Sequence, residues 1–223
     1  MGHLHVYDCT HLDHLSYRCG VDGYQPKYFT RDRKRFIKAQ ARLSGVLMND
    51  WKVEILASKI CNQWGIPHVE QAHCKIITRS AELDAVESRN FDQDGKTFQS
   101  FRSLLNYNNF SDDDDDEFIR LNAEEKLKWC AKKLSSLTSL GYNSCEDYML
   151  NLAMLDIIVG NIDRHSKNYG VFFDVAKSHY EIAMIFDNRM GLFENDYYRD
   201  NYKTYEDAMH NVYVSPTEKN PLI

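Results

Sequence analysis

The sequence predicts an α+β protein of two lobes, a small β-rich N-lobe over residues 1–91 and a mainly helical C-lobe over residues 92–223. Three observations carry that division. Between residues 20 and 91, short β-prone strings and turn signals surround one stretch of helical spacing. Between 123 and 159 lie two long helical stretches, and after Phe91 the chain turns abruptly polar. A length of 223 residues, with 43% hydrophobic and 27% charged, suits one generous core or two small lobes sharing a cleft.

Taken in order, Gly20, Gly23 and Pro26 feed the string Arg35-Phe36-Ile37-Lys38-Ala39, the pattern of a strand–turn–strand. From Trp51 to Trp64 apolar residues recur at Ile55, Ala57, Ile60 and Cys61, and Gly65 with Pro67 closes the stretch as a helix C-terminus should. β-prone strings follow at 75–78 and 84–91. Residues 92–122 read as a solvated loop that includes the aspartate run Asp112 to Asp116, where repulsion favours hydration over cation binding. Residues 123–140 predict a second helix, ended by Gly141. Residues 148–159, apolar apart from Asn151 and Asp156, predict a buried one. Two β segments, 168–174 and 180–187, complete the pattern.

Composition removes several classes of function. No apolar run approaches the roughly 20 residues of a membrane span, and the opening Met1-Gly2-His3-Leu4-His5-Val6 lacks the basic start and apolar core of a secretory signal. A net charge of -6 disfavours a nucleic-acid coat. The six cysteines (9, 19, 61, 74, 130 and 145) include no C-x-x-C pair and read as reduced thiols of a cytoplasmic protein. His3, His5, Cys9, His11 and His14 are metal-ligating types without ligand spacing, so they read as a histidine-rich segment.

The chemistry concentrates in Asn161-Ile162-Asp163-Arg164-His165-Ser166-Lys167-Asn168, which places ionisable groups directly after an apolar helix. Burying charge without a partner is costly, so such clusters mark function. Further on, Ile185-Phe186-Asp187-Asn188 sets an aspartate at the end of an apolar strand. Taken singly, each string has a plainer explanation: a structural salt bridge, a surface lysine, a glutamate favoured by a helix dipole. Their order fits phosphoryl transfer, which needs a carboxylate to orient the attacking hydroxyl, oxygen ligands for Mg2+ and a lysine on the phosphates. Asp163 and Asn168 have the D-x-x-x-x-N spacing of a kinase catalytic loop. Asp187 takes the place of the second metal ligand, Lys38 of the phosphate lysine, and Glu54 of its ion-pair partner. Residues 20–27 form the glycine-containing turn above the phosphates.

These strings resemble the HipA-like serine/threonine kinases, the toxin components of bacterial toxin–antitoxin modules and their effector relatives. Gly23-Tyr24-Gln25-Pro26-Lys27 is similar to that family's G-x-Q-x-K, and Phe36-Ile37-Lys38, Glu54-Ile55-Leu56-Ala57 and Trp64-Gly65-Ile66-Pro67 follow in order. Asp156-x-x-x-Gly160-Asn161-x-Asp163-Arg164-His165-x-x-Asn168 and Phe186-Asp187-Asn188 complete a likeness spanning residues 20 to about 193. The resemblance implies a bilobal protein-kinase-like fold and transfer from ATP, with Mg2+, to Ser or Thr. It makes Asp163 the catalytic base, and Asn168 and Asp187 the Mg2+ ligands. It gives Gly23, Gln25, Lys27, Lys38, Glu54 and Asn168 to the ATP site. It also implies autophosphorylation, a protein substrate that is translation-related or a host protein, an antitoxin partner, and a bacterial cytoplasmic or secreted-effector location.

Departures from the family are visible too. Gly20-Val21-Asp22 stands where some toxins carry phosphorylatable serines, which turns attention to Ser16 or Thr30. The 36 residues after Asp187 are fewer than the family's usual C-lobe, and F-D-N replaces D-F-G. Phosphoinositide kinases also show D-R-H-x-x-N, although they continue to D-F-G and carry basic surfaces. A nucleotide-binding pseudokinase keeps the fold without the chemistry. Arg164 reads as an ion-pair strut and His165 as a structural donor.

Overall fold

A computed structural model describes residues 4–11, 25–43, 46–90, 95–107, 118, 120–161 and 164–189. In chain order the first elements are β1 (His5–Asp8), β2 (Lys27–Phe29), β3 (Arg35–Ala39), the short ribbon β4 (Arg42–Leu43) and β5 (Val46–Leu47), and α1 (Asp50–Trp64). Then come β6 (Ala72–Ile77), β7 (Glu82–Arg89), β8 (Lys96–Ser100) and α2 (Phe101–Tyr107). They are followed by α3 (Ala123–Thr138), α4 (Tyr142–Val159), β9 (Gly170–Asp174) and β10 (His179–Ile182). The fold is the α+β arrangement that the sequence predicts. A five-stranded sheet of order β1-β6-β7-β3-β2 forms one layer, and a three-stranded sheet of order β10-β9-β8 lies with the helices.

Local chemistry explains the elements that position the site. In the β2–β3 hairpin Lys27 lies opposite Lys38, and β3 pairs antiparallel with β7 so that Lys38 faces Val86. Helix α1 ends at Gly65, whose φ of 68° is a left-handed cap that most other residues adopt only under strain. Helix α3 starts on a capping box, with the Asn122 side chain accepting the Glu125 N–H and Glu125 reaching back to the Asn122 N–H. The predicted 123–140 helix stops at Thr138, with Ser139 in the left-handed cap at φ 60°. Gly141 instead N-caps α4, so that helix begins six residues before the predicted Tyr148.

Three expectations need correction. Residues 92–122 are not one loop, because they supply β8 and α2. Strand β8 is stabilised by its β9 partner and by Phe98 packed edge-on against Phe172 and Phe186, with ring centroids 6.0 and 5.1 Å apart. Phe101 stacks on Tyr169 beneath it, at 5.3 Å. Its few aromatic positions are spaced too sparsely to show as a pattern, and tertiary pairing decides the strand. The 180–187 segment is a strand only to Ile182. The remainder reaches the other lobe through a bridge between His68 and Ile185, in which Val69 donates to the Ile185 carbonyl and Ile185 to that of Pro67. Helix α4, expected to be buried, buries Met149, Leu152, Leu155 and Val159 but leaves Leu150, Met154, Ile157 and Ile158 each 44–47% exposed. The Asp112–Asp116 run lies outside the described residues.

The core has two parts. One collects Ile37, Ala39, Cys74, Ile76 and Ala85 on the five-stranded sheet. The other gathers α3, α4, Phe101 and Tyr169, and it also takes Ala57, Cys61 and Ile66 from the α1 region. Helix α1 therefore packs into the core built around α3 and α4, which ties the glutamate it carries to the C-lobe. Gly170 allows β9 to lie against β8: a Cβ there would meet the Gln99 carbonyl oxygen at 2.1 Å. The described cysteines 9, 61, 74, 130 and 145 are all buried free thiols.

Candidate active site

Lys38 is the hub. It is on β3 and 7% exposed, and its Nζ donates to Glu54 Oε1 at 2.8 Å and to Asp187 Oδ1 at 2.9 Å. Glu54, on the second turn of α1 and 1% exposed, also accepts the backbone N–H of Asn188 at 3.2 Å through Oε2. Three separate segments, one of them 149 residues from Lys38, thus converge on one ammonium. Burial alone would pull the Lys38 ammonium down, but the Asp187 and Glu54 carboxylates outweigh it and hold the group well above the usual lysine range. Burial likewise would push the Asp187 carboxyl up. Lys38, then Arg189, and more weakly Lys27 outweigh that and keep it ionised far below the usual carboxylate range. Asp187 has a φ of 59°, a left-handed conformation that a non-glycine residue holds only when its surroundings impose it.

Arg164 imposes them. This fully buried guanidinium sits just after the helix end, and each of its N–H donors has a partner. Nε and Nη2 bind the two Asp156 oxygens at 2.9 Å each, and Nη2 also reaches Asn188 Oδ1 at 2.6 Å. Nη1 donates to the carbonyls of Phe186 at 2.8 Å and Asn168 at 3.3 Å. Asp156 is held in turn by Asn161 Nδ2 at 2.8 Å. One side chain therefore pins the segment ending at Asn168 against the segment carrying Asp187, both to the last turns of α4. This is the strut expected of Arg164. His165 Nδ1 accepts the Lys167 N–H at 3.3 Å.

Asn168 is 8% exposed, in a turn closed by its N–H to the His165 carbonyl. Lys27 is buried opposite Lys38. Gln25 is 1% exposed, and its Nε2 donates to Asp50 Oδ2 at 2.5 Å. Gly23 and Asp163 lie outside the described residues. The residues present suit Mg2+: a carboxylate and an amide oxygen are hard ligands of the kind that ion takes. Lys38 binds Asp187 through Oδ1, and Oδ2 has no hydrogen-bond partner among the described residues. A second acidic cluster, Asp174, His179 and Glu181 on the β9–β10 hairpin, is already ion-paired with Lys96 and Lys177. His5, of the histidine-rich segment, bonds Glu87 at 2.6 Å.

Sequence reasoning left Asp50, Asn188 and the full reach of Asp156 without a role. A charge inside an otherwise apolar helix was the available signal for Asp156. Nothing in the spacing marks Asp50 or Asn188.

No protein-family model matches the chain, and no curated protein matches it by sequence. Among solved structures the chain is similar to the proinflammatory kinase CtkA of Helicobacter pylori, with a TM-score of 0.65 and 18% sequence identity. The match covers 95% of this chain and 70% of that one. The likeness is one of fold, a kinase fold. No helix among the described residues is long and apolar enough to cross a membrane.

Proposed function

We propose that the chain is an ATP- and Mg2+-dependent serine/threonine protein kinase of the HipA-like type. The observation that carries this reading is the convergence of β3, α1 and the post-β10 segment on Lys38, with Glu54 and Asp187 both within 2.9 Å of its Nζ. A lysine ordered between two acids of opposite lobes suits a site that must receive phosphates.

In this reading Lys38, oriented by Glu54, offsets the charge of the nucleotide phosphates. Asn168 and Asp187 hold the metal, which when bound supplies neutralisation of the transferring phosphoryl group. Asp163 orients the acceptor hydroxyl of a Ser or Thr and takes its proton. A bond forms from the hydroxyl oxygen to the γ-phosphorus, the bond from that phosphorus to the β-phosphate bridging oxygen breaks, and ADP leaves. Closure of the lobes excludes water. The resemblance to HipA-like kinases further proposes autophosphorylation, an acceptor that is translation-related or a host protein, and an antitoxin partner.

ADP release tests the reading. ATP turnover with a protein acceptor is expected to require Mg2+ and to fall by about 10²–10³ in Lys38→Met, the loss typical of one preorganised electrostatic contact. Turnover unaffected by Lys38→Met would overturn it.

A further inference from the structure

Asp50 and Glu54 lie one helical turn apart on the same face of α1, and both are buried. Glu54 holds Lys38. Asp50 holds the open end of the β2–β3 hairpin that presents Lys38, and holds it from both sides. The ladder extends past the strands through Ala39 N–H to the Pro26 carbonyl at 2.9 Å. Just beyond that pair the entering strand gives Gln25 Nε2 to Asp50 Oδ2 at 2.5 Å. The leaving strand gives the Ala41 N–H to both Asp50 oxygens, at 3.2 and 3.4 Å. The Trp51 N–H adds a bond to Oδ1 at 3.1 Å.

Gln25 is an odd residue to bury. Glutamines are mostly exposed, and Gln25 Oε1 finds no hydrogen-bond partner among the described residues. An unsatisfied buried amide oxygen is costly and uncommon in native proteins. The side chain contributes its nitrogen, which reaches Asp50, and at 1% exposure it has no surface to offer a nucleotide.

We propose that Gln25 and Asp50 are a positioning pair: they clip the open end of the β2–β3 hairpin to the first turn of α1, setting Lys38 and Lys27 in register with Glu54. This moves Gln25 from the nucleotide-contacting set, where the resemblance placed it, to one that acts through Asp50. The consequence for activity rests on the phosphotransfer reading of Lys38; the clip itself does not.

The test uses the full chain and exchanges the two functional groups. Gln25→Glu sets two carboxylates against each other, whereas Gln25→Glu with Asp50→Asn restores an amide–carboxylate bond in the reverse sense. Hydrogen exchange of the residue 25–41 amides and the KM for ATP are expected to rise about tenfold in Gln25→Glu, the worth of one hydrogen bond to a charged group. The kcat should change much less, and the double variant should return both quantities close to wild type. Gln25→Ala, which adds no charge, should raise exchange in the same segment and leave α3 and α4 protected. Unchanged exchange at 25–41 in both single variants, or a double variant no better than Gln25→Glu, would overturn the clip. A wild type that protects 25–41 through this pair yet transfers no phosphate would defeat the kinase reading and leave the clip standing.

Discussion

Replacing Arg164 by Met removes every bond that its guanidinium makes, and the structure says what each loss costs. Asp156, buried to 1% exposure, keeps only Asn161 Nδ2. Breaking a buried pair by removing one partner leaves an uncompensated charge and costs about 3–5 kcal/mol. The Phe186 and Asn168 carbonyls and Asn188 Oδ1 also lose a donor. Each costs about 1–3 kcal/mol unless water replaces the guanidinium. Against a typical total of about 5–15 kcal/mol, Arg164→Met should be barely folded. Adding Asp156→Leu removes the stranded charge, and apolar replacement of a buried ion pair is often neutral or stabilising, so the double variant should regain most of the stability. It should not regain activity, because the Asn168 and Asp187 segments are no longer pinned together. A misplacement of about 1 Å at a catalytic centre costs on the order of 10²-fold. Urea titration followed by far-UV circular dichroism, beside phosphate transfer by the double variant, reads both quantities. An Arg164→Met loss below about 1 kcal/mol, the scale of an exposed pair, or a double variant with wild-type transfer, would refute the reasoning.

Other consequences follow from the same geometry. Asp187 titrates below its unfolded value, so its pairing stabilises the fold above about pH 4, the ordinary aspartate value, and is lost as pH falls toward the folded-state value. Urea midpoints of wild type and Asp187→Asn should therefore converge as the pH is lowered below that point, and parallel curves would contradict the pairing. Gly170→Ala drives a methyl into the β8 backbone. It should lower the melting temperature by several degrees, as expected for a strained site, and calorimetry should find the loss. Burial pushes the Cys61 thiol up to about 11 and that of Cys74 up to about 12. Neither should react with a maleimide at pH 7.5 in native protein, while both react in urea, as peptide mass spectrometry would show.

The fold was legible where a local rule decides it. Helix α1 announces itself by spacing and by Gly65, and α3 by its helical stretch from residue 123. Strand β8 was not legible, since its stability comes from β9 and two distant aromatics rather than from its own pattern. The 180–187 strand was drawn too long because apolarity there reflects burial beneath the His68–Ile185 bridge, not ladder pairing. Helix α4 looked buried because hydrophobicity cannot say which face is covered. In the site, the motif spacings placed Lys38, Glu54 and Asp187 in a sequence order, and the structure brings their side chains together. What spacing does not convey is the second tier beneath them. Arg164 reaching Asp156, Asn188 and two carbonyls, and Asp50 receiving both ends of a hairpin, are long-range pairings with no local signature.

The most direct measurement is transfer of labelled γ-phosphate from ATP, with Mg2+, to a protein acceptor or to the chain itself, compared across wild type, Asp163→Ala and Asp187→Ala. Label on Ser or Thr in wild type, absent from both variants while their folds persist, is the predicted result. No label in wild type under conditions where nucleotide binds, or label undiminished in Asp187→Ala, would contradict a phosphotransfer centre built on Lys38, Glu54 and Asp187.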